Sequence, residues 1–347
     1  MRDEIQAARI LLAKMGADPS PVSPWTAQAE DRVQQWAAAF GLVRSPTARN
    51  RFRGTAPGEL SGRVYALAAD RDRLKAAALW IGWLFLIDDQ LDEGATGKDP
   101  VLTRERLRPF AAMAGDMAAG SAPASHSPRL PLLAALVDVW RQVSADMPAG
   151  WRTTFTQNYL DYLCGCEWEA GNRARGRIPA ESEFLPMRRA AGAIWPSLDL
   201  LEYVCAAPIP DPLRGDPLFT GIRTACADVV CWTDDLLTVG KERAHGDMHN
   251  LAIVLEHAMG CGPREALEVV AKRIEARLID FEELRRRVAT AAAGTPTLDD
   301  DGKYALDQHI EGLQHWMRGH LEWSLRTIRY DPDANVASSA YLEDLLG

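Results

Sequence analysis

Asp88-Asp89-Gln90-Leu91-Asp92 closes a long apolar run, Ala76 to Ile87, broken only by Gly82. Charged side chains avoid apolar surroundings unless paired or bound to a metal. Asp88 and Asp92 are four residues apart, so on a helix they share one face. Two carboxylates on one face repel each other unless a cation lies between them, and oxygen ligands alone suit a hard ion such as Mg²⁺ rather than Zn²⁺. A solvated helix edge is the plain alternative. A second pattern weighs against it: Asp234, Thr238 and Glu242 stand at i, i+4 and i+8. On a helix this set drifts by only ~80°, so carboxylate, hydroxyl and carboxylate can face one point. Lys241 stands beside the last of them and could reach an anion held there. The bland reading is a polar face with Thr238 and Lys241 as neighbours, an odd feature straight after Ala227–Trp232.

Asp88–Asp92 resembles the aspartate-rich DDxxD motif of class I terpene synthases, and Asp234–Glu242 resembles their second motif, (N/D)Dxx(S/T)xx(K/R)E. Asp and Thr stand here where bacterial members more often carry Asn and Ser; both replacements keep an oxygen donor. Gly246-Asp247-Met248-His249-Asn250 is also similar to the family. The family's diphosphate-sensing Arg lies about forty-six positions before the second motif, which points to Arg188, with Gly192 as its helix-breaking effector residue. Arg329-Tyr330 resembles the family's terminal Arg-Tyr pair. Read alone, Arg188 would be a surface ion pair and Arg329 a favourable charge at a helix C-terminus.

The resemblance implies a catalyst that ionises an allylic prenyl diphosphate and cyclises the carbocation. Three Mg²⁺ are then expected, with Mn²⁺ as a substitute: Asp88, helped by Asp92, for two, and Asp234, Thr238 and Glu242 for the third. Asp89 points about 100° away from Asp88 and should bond an Arg instead. Arg188, Lys241, Arg329 and Tyr330 would orient the diphosphate, Arg because its planar fork binds two oxygens at once. Aromatic faces stabilise a cation by roughly 0.5–2 kcal/mol each without reacting with it. Trp83, Phe85, Trp195 and Trp316 are the cavity candidates, although aromatics at helical spacing are first of all core. Trp316, Trp323 and Tyr330 recur every seven residues, on one side of the last helix. Their bulk favours farnesyl diphosphate and a sesquiterpene over a diterpene made from geranylgeranyl or a labdane-type diphosphate. A prenyl-elongating enzyme would carry two DDxxD-like motifs, and a non-catalytic binding protein would have no need of the intact acidic positions.

These residues need helices to position them, and helical signals dominate the chain. Helices are expected near 26–42, 60–91, 101–118, 130–146, 150–170, 184–206, 218–243, 246–259, 263–292 and 303–329, with 263–293 packed outside the core. The fold class expected is all-α: a single catalytic domain over residues 1–347, a helical bundle around a central cavity, with 1–24 a flexible N-terminal segment. The hydrophobic content of 47% suffices for a large core. A net charge of −9 speaks against nucleic acid, which demands a basic face. The run Asn172–Arg177 reads as a solvated loop, or less readily as a flap over an anion. Nothing near Met1 resembles a signal peptide, and Ala76–Ile87 is too short to span a bilayer. Six cysteines lack CxxC pairing, so they read as reduced core residues in a cytoplasmic protein, a monomer or a homodimer.

Overall fold

A computed structural model describes residues 2–16, 18–121, 130–294, 298–330 and 343–346. Among them there is no strand. The helices run α1 Arg2–Lys14, α2 Thr26–Ala39, α3 Pro46–Thr55, α4 Pro57–Val64, α5 Arg71–Asp92, α6 Pro100–Ala112, α7 Ala114–Ala119, α8 Pro131–Ser144, α9 Ala149–Arg175, α10 Glu181–Ala191, α11 Ile194–Val204, α12 Asp211–Arg214, α13 Pro217–His245, α14 Leu251–Met259, α15 Pro263–Ala293 and α16 Asp300–Ser324. Short 3₁₀ turns cover Thr96–Lys98 and Ile328–Tyr330. Buried side chains from α1 to α16 belong to one continuous apolar core.

The two helices that carry the acidic motifs have strong start signals. Asp70 caps α5 by accepting from the N–H groups of Asp72 and Arg73. Asp216 caps α13 in the same way, with Pro217 in the first turn, where its missing N–H costs nothing. Gly246, at φ +73°, ends α13 one turn after Glu242. Asn250 then caps α14 through the N–H of Ala252.

Several expected helices are divided. The span 60–91 is two helices, because the chain turns at 65–70: the Ala69 N–H donates to Val204 O, and Asp70 restarts the helix. The span 101–118 divides at Met113. The span 184–206 divides at Gly192–Ala193. The left-handed residue there is Ala193, at φ 50°, not the glycine. Gly192 supplies space instead: a Cβ would lie 2.8 Å from Arg188 Nη1 and 3.1 Å from Arg188 O. As expected, α15 lies on the outside; one stripe, Ala266, Val270, Ile274, Phe281 and Val288, is buried, and the helix packs along α13.

Described residues of the segment 1–24, expected to be flexible, pack on the bundle. Ala8 and Leu11 of α1 are fully buried and the helix packs on α13, α15 and α16. Arg318 donates to the carbonyls of Leu12 and Gly16, and Ser20 N–H donates to Glu322. Apolar residues on one face of α1, with its end carbonyls satisfied by Arg318, are enough to dock it.

Candidate active site

At the C-terminal end of α5 the four carboxylates separate by direction. Asp88 and Asp92 open on a cavity, their side chains 43% and 46% exposed. Asp88 is pushed up to about 8, first by its removal from bulk water and then by Asp92. Asp92 is pushed up to about 6, burial outweighing the pull of Arg173. Asp89 turns inward and accepts from Arg329 Nη1 at 2.8 Å, with Arg51 Nη2 at 3.7 Å, as its helical angle implied. Glu93 pairs with Arg51, and Lys241 Nζ approaches the same carboxylate at 4.0 Å. Arg329 also lies 3.5 Å from Asp88 and stacks 4.6 Å over the Phe85 ring.

Across the cavity, α13 presents Asp234, Thr238 and Glu242. The Thr238 hydroxyl lies 2.9 Å from Asp234 O and 2.7 Å from Glu242 Oε1, two acceptors for its one proton. Asp234 Oδ2 accepts from Arg188 Nη2 at 2.8 Å, and Tyr330 donates its hydroxyl proton to Asp234 Oδ1. Burial alone would push Asp234 up, but Arg188, His320 and Tyr330 hold it below the usual carboxylate range. Burial, reinforced by Asp235 and Asp247, pushes Glu242 well up. Its Oε2 is buried with no hydrogen-bond partner. Asp235 is fully buried and structural: it accepts from Arg188 Nε at 2.7 Å and from the Leu251 N–H at 3.0 Å, tying α10, α13 and α14 together.

One residue joins the two sides. Arg173, in the last turn of α9, donates to Asp92 at 2.8 Å, to Asp247 at 2.8 and 3.0 Å, and to Glu169 at 3.3 Å. The Asn172–Arg177 run is thus not merely a solvated loop. The signal in the sequence was Glu169 four residues before Arg173, a helical pair. Asp247 is held well below its usual range; burial is outweighed by hydrogen bonds from His249 and Arg173. Glu93 and His320 also line the cavity and carried no signal read as functional, and Asp247, in the stretch similar to the family, was given no role.

The cavity encloses about 370 Å³. Phe85, Asp88, Asp92, Arg188, Gly192, Asp234, Thr238, Lys241, Glu242, Trp316, Arg329 and Tyr330 all line it. Below the polar mouth the wall is apolar, with Leu60, Ile81, Ile194 and Val230 beside stacked Phe85 and Trp323. Two cavity expectations are corrected. Trp83 is fully buried among Trp80, Phe110, Tyr159 and Tyr162 and donates to Leu132 O. Trp195 lies beside Arg223, away from the cavity lining. In both cases helical spacing allows either face, and the neighbouring helices chose the outer one.

The donor set fits a hard cation. Carboxylates and a hydroxyl face the mouth, Glu242 has an oxygen without a protein partner, and the raised Asp88 and Asp92 call for positive charge between them. No group of three His, Cys, Asp or Glu side chains converges among the described residues, so the α13 set depends on the Thr238 hydroxyl. Arg188 and Tyr330 share Asp234.

A family model described as terpene synthase family 2, C-terminal metal binding, matches residues 79–280. The chain is 37% identical to (-)-delta-cadinene synthase of Streptomyces clavuligerus, over 90% of this chain and 93% of that protein. It is 31% identical, over 95% of each chain, to a farnesyl diphosphate-cyclising (+)-T-muurolol synthase of Roseiflexus castenholzii. Among solved structures, an α-eudesmol synthase superposes with a TM-score of 0.78 at 25% identity, covering 89% of this chain and 98% of that one. A linalool/nerolidol synthase from Streptomyces clavuligerus superposes with a TM-score of 0.77 at 28% identity, covering 89% and 99%.

Proposed function

The chain belongs to the terpene synthase family, and from that premise we propose that it ionises farnesyl diphosphate and closes the resulting cation into a sesquiterpene. The observation that carries this reading is one cavity with two facing oxygen-donor sets at its mouth and aromatic walls below. The relatives above are named for terpene products, and one is also named for cyclising farnesyl diphosphate. Phe85, Trp316 and Trp323 line the cavity, and their bulk favours fifteen carbons over twenty.

Asp88 with Asp92 would hold two Mg²⁺, and Asp234, Thr238 and Glu242 a third, with Mn²⁺ as a substitute. Bound there, the ions supply Lewis acidity and clamp the leaving diphosphate. Arg188, Lys241 and Arg329 bring fixed positive charge to the same mouth, and Tyr330 adds a hydroxyl donor. Arg188 is pre-aimed by Asp235, so its guanidinium need not be ordered when substrate binds. Arg329 is held by Asp89, which gives the second carboxylate of the motif a positioning role although it does not face the cation. After ionisation, Phe85, Trp316 and Trp323 would surround the cation with unreactive aromatic surface. The whole chain would act as one catalytic domain, as a monomer or a homodimer, in the cytoplasm. No described helix is long and apolar enough to cross a membrane.

The test is to offer C10, C15 and C20 prenyl diphosphates with Mg²⁺ and analyse the products by gas chromatography. Cyclic C15 products with the highest kcat/KM for farnesyl diphosphate are expected. A higher kcat/KM for geranylgeranyl diphosphate would overturn the chain length, and no product from any would overturn the reading.

A further inference from the structure

His320 lines the cavity from α16 and is not used in the mechanism above. The residue is 7% exposed. Its Nδ1 is buried without a hydrogen-bond partner. Its Nε2 lies 3.9 Å from Asp234 Oδ1, beyond hydrogen-bond reach. A neutral imidazole always offers one N–H and one lone pair. Nδ1 is sealed from the cavity, so Nε2 is the nitrogen that can hold a ligand there, and a residue kept for packing alone would be apolar. Trp316, one turn earlier on the same face, also has a buried indole N–H without a partner. The Ser197 hydroxyl, the other polar group on the cavity wall below the mouth, is fully engaged: it donates to Ala193 O and accepts from Trp80 Nε1. The gap of 3.9 Å between His320 and Asp234 is one that a single bridging water serves.

We propose that His320 holds a water molecule at the cavity wall, and that this water quenches the final carbocation, so that the main product is a sesquiterpene alcohol. The inference rests on the farnesyl diphosphate reading given above. Water held by the imidazole N–H keeps a free lone pair. That pair forms the new C–O bond to the cationic carbon. The oxonium then loses one proton to a diphosphate oxygen, so cation, water and diphosphate yield alcohol and protonated diphosphate. Nothing is oxidised or reduced.

Turnover of farnesyl diphosphate with Mg²⁺ in H₂¹⁸O tests it, with pyrophosphate release followed separately. The expected main product is a C15 alcohol two mass units heavier. In H320L the alcohol-to-alkene ratio should fall at least about tenfold, the effect of removing a hydrogen-bond partner worth one decade. In H320Q, which keeps a donor and an acceptor, the ratio should fall less. Should H320L lose its fold by circular dichroism, H320F keeps the ring volume without a polar atom and takes its place. Unlabelled alkenes as the main wild-type product, or an unchanged ratio in the folded apolar variant, would overturn the proposal. Absence of pyrophosphate release from wild type would instead sink the farnesyl diphosphate reading.

Discussion

The two sides of the cavity mouth are both acidic, yet they are built on opposite electrostatic plans. On α5, Asp88 and Asp92 face the opening together, and both are pushed up, to about 8 and about 6. On α13, Asp234 is pre-paired with Arg188 and Tyr330 and stays below its usual range. The α5 side is a repulsion that a cation relieves. On the α13 side only Asp234 is already neutralised, by the groups proposed to grip the diphosphate, while Glu242 is pushed up like the α5 pair. Charge on the first side invites metal; pairing on the second aims the Arg.

The largest effects should fall on the carboxylates proposed to hold metal. Asp88→Asn and Glu242→Gln should each cut kcat/KM by about 10³-fold, consistent with losing several kcal/mol of charge stabilisation. EDTA should abolish turnover in wild type. Steady-state kinetics with folded variants would break the comparison if only one side mattered.

Arg188→Lys removes the fork that bridges Asp234 and Asp235 and should cost about 10²-fold in kcat/KM. A rate equal to wild type would detach Arg188 from the chemistry. Arg189 would not replace it, because it pairs with Asp228 outside the cavity lining.

Asp235→Ala should act on stability. It strips a fully buried carboxylate from Arg188 and from the Leu251 N–H, at about 3 kcal/mol or more. A drop in Tm of about 4 °C or more follows for a chain of this size. A Tm unchanged in thermal unfolding would refute its structural role.

At Thr238 the hydroxyl is the point. Thr238→Ser should stay within about twofold of wild type, while Thr238→Val should lose about tenfold or more, one oxygen donor being worth at least a decade. Equal rates for the two variants would remove Thr238 from the donor set.

The smallest effect is in the pH dependence of stability in metal-free buffer. Asp88 and Asp92 have folded values above the ordinary carboxylate value of 3.8. The folded state therefore binds more protons than the unfolded one between about pH 4 and 8, and stability falls as pH rises through that window. Their exposure on the cavity screens the effect. Asp88→Asn should raise Tm at pH 8 relative to pH 5 by about 2 °C more than wild type, and Mg²⁺ should do the same for wild type. An unchanged difference would mean that α5 is not strained by its charges.

Much of this was legible beforehand. The i, i+4 and i+8 spacings put each set of oxygen donors on one helix face, and both faces line the cavity, because helical geometry is local. Asp89 was readable for the same reason. Trp83 was not: its spacing suits either the cavity or the outer face, and Trp80, Tyr159 and Tyr162 decided it. Arg173 was hidden in a basic run, because its partners Asp92 and Asp247 lie 81 and 74 positions away. The docking of α1 depended on Arg318, some 300 positions further on.

The sequence by itself determined the helical class, the chemical type of each donor and the order of the motifs, since propensity, spacing and ligand hardness are properties of residues and near neighbours. Only the tertiary structure decided which aromatics face the cavity, that Arg173 bridges the two sides of the mouth, and that Gly192 makes room for Arg188. Those outcomes are set by the packing of distant helices, where a side chain's partner is found in space and not along the chain.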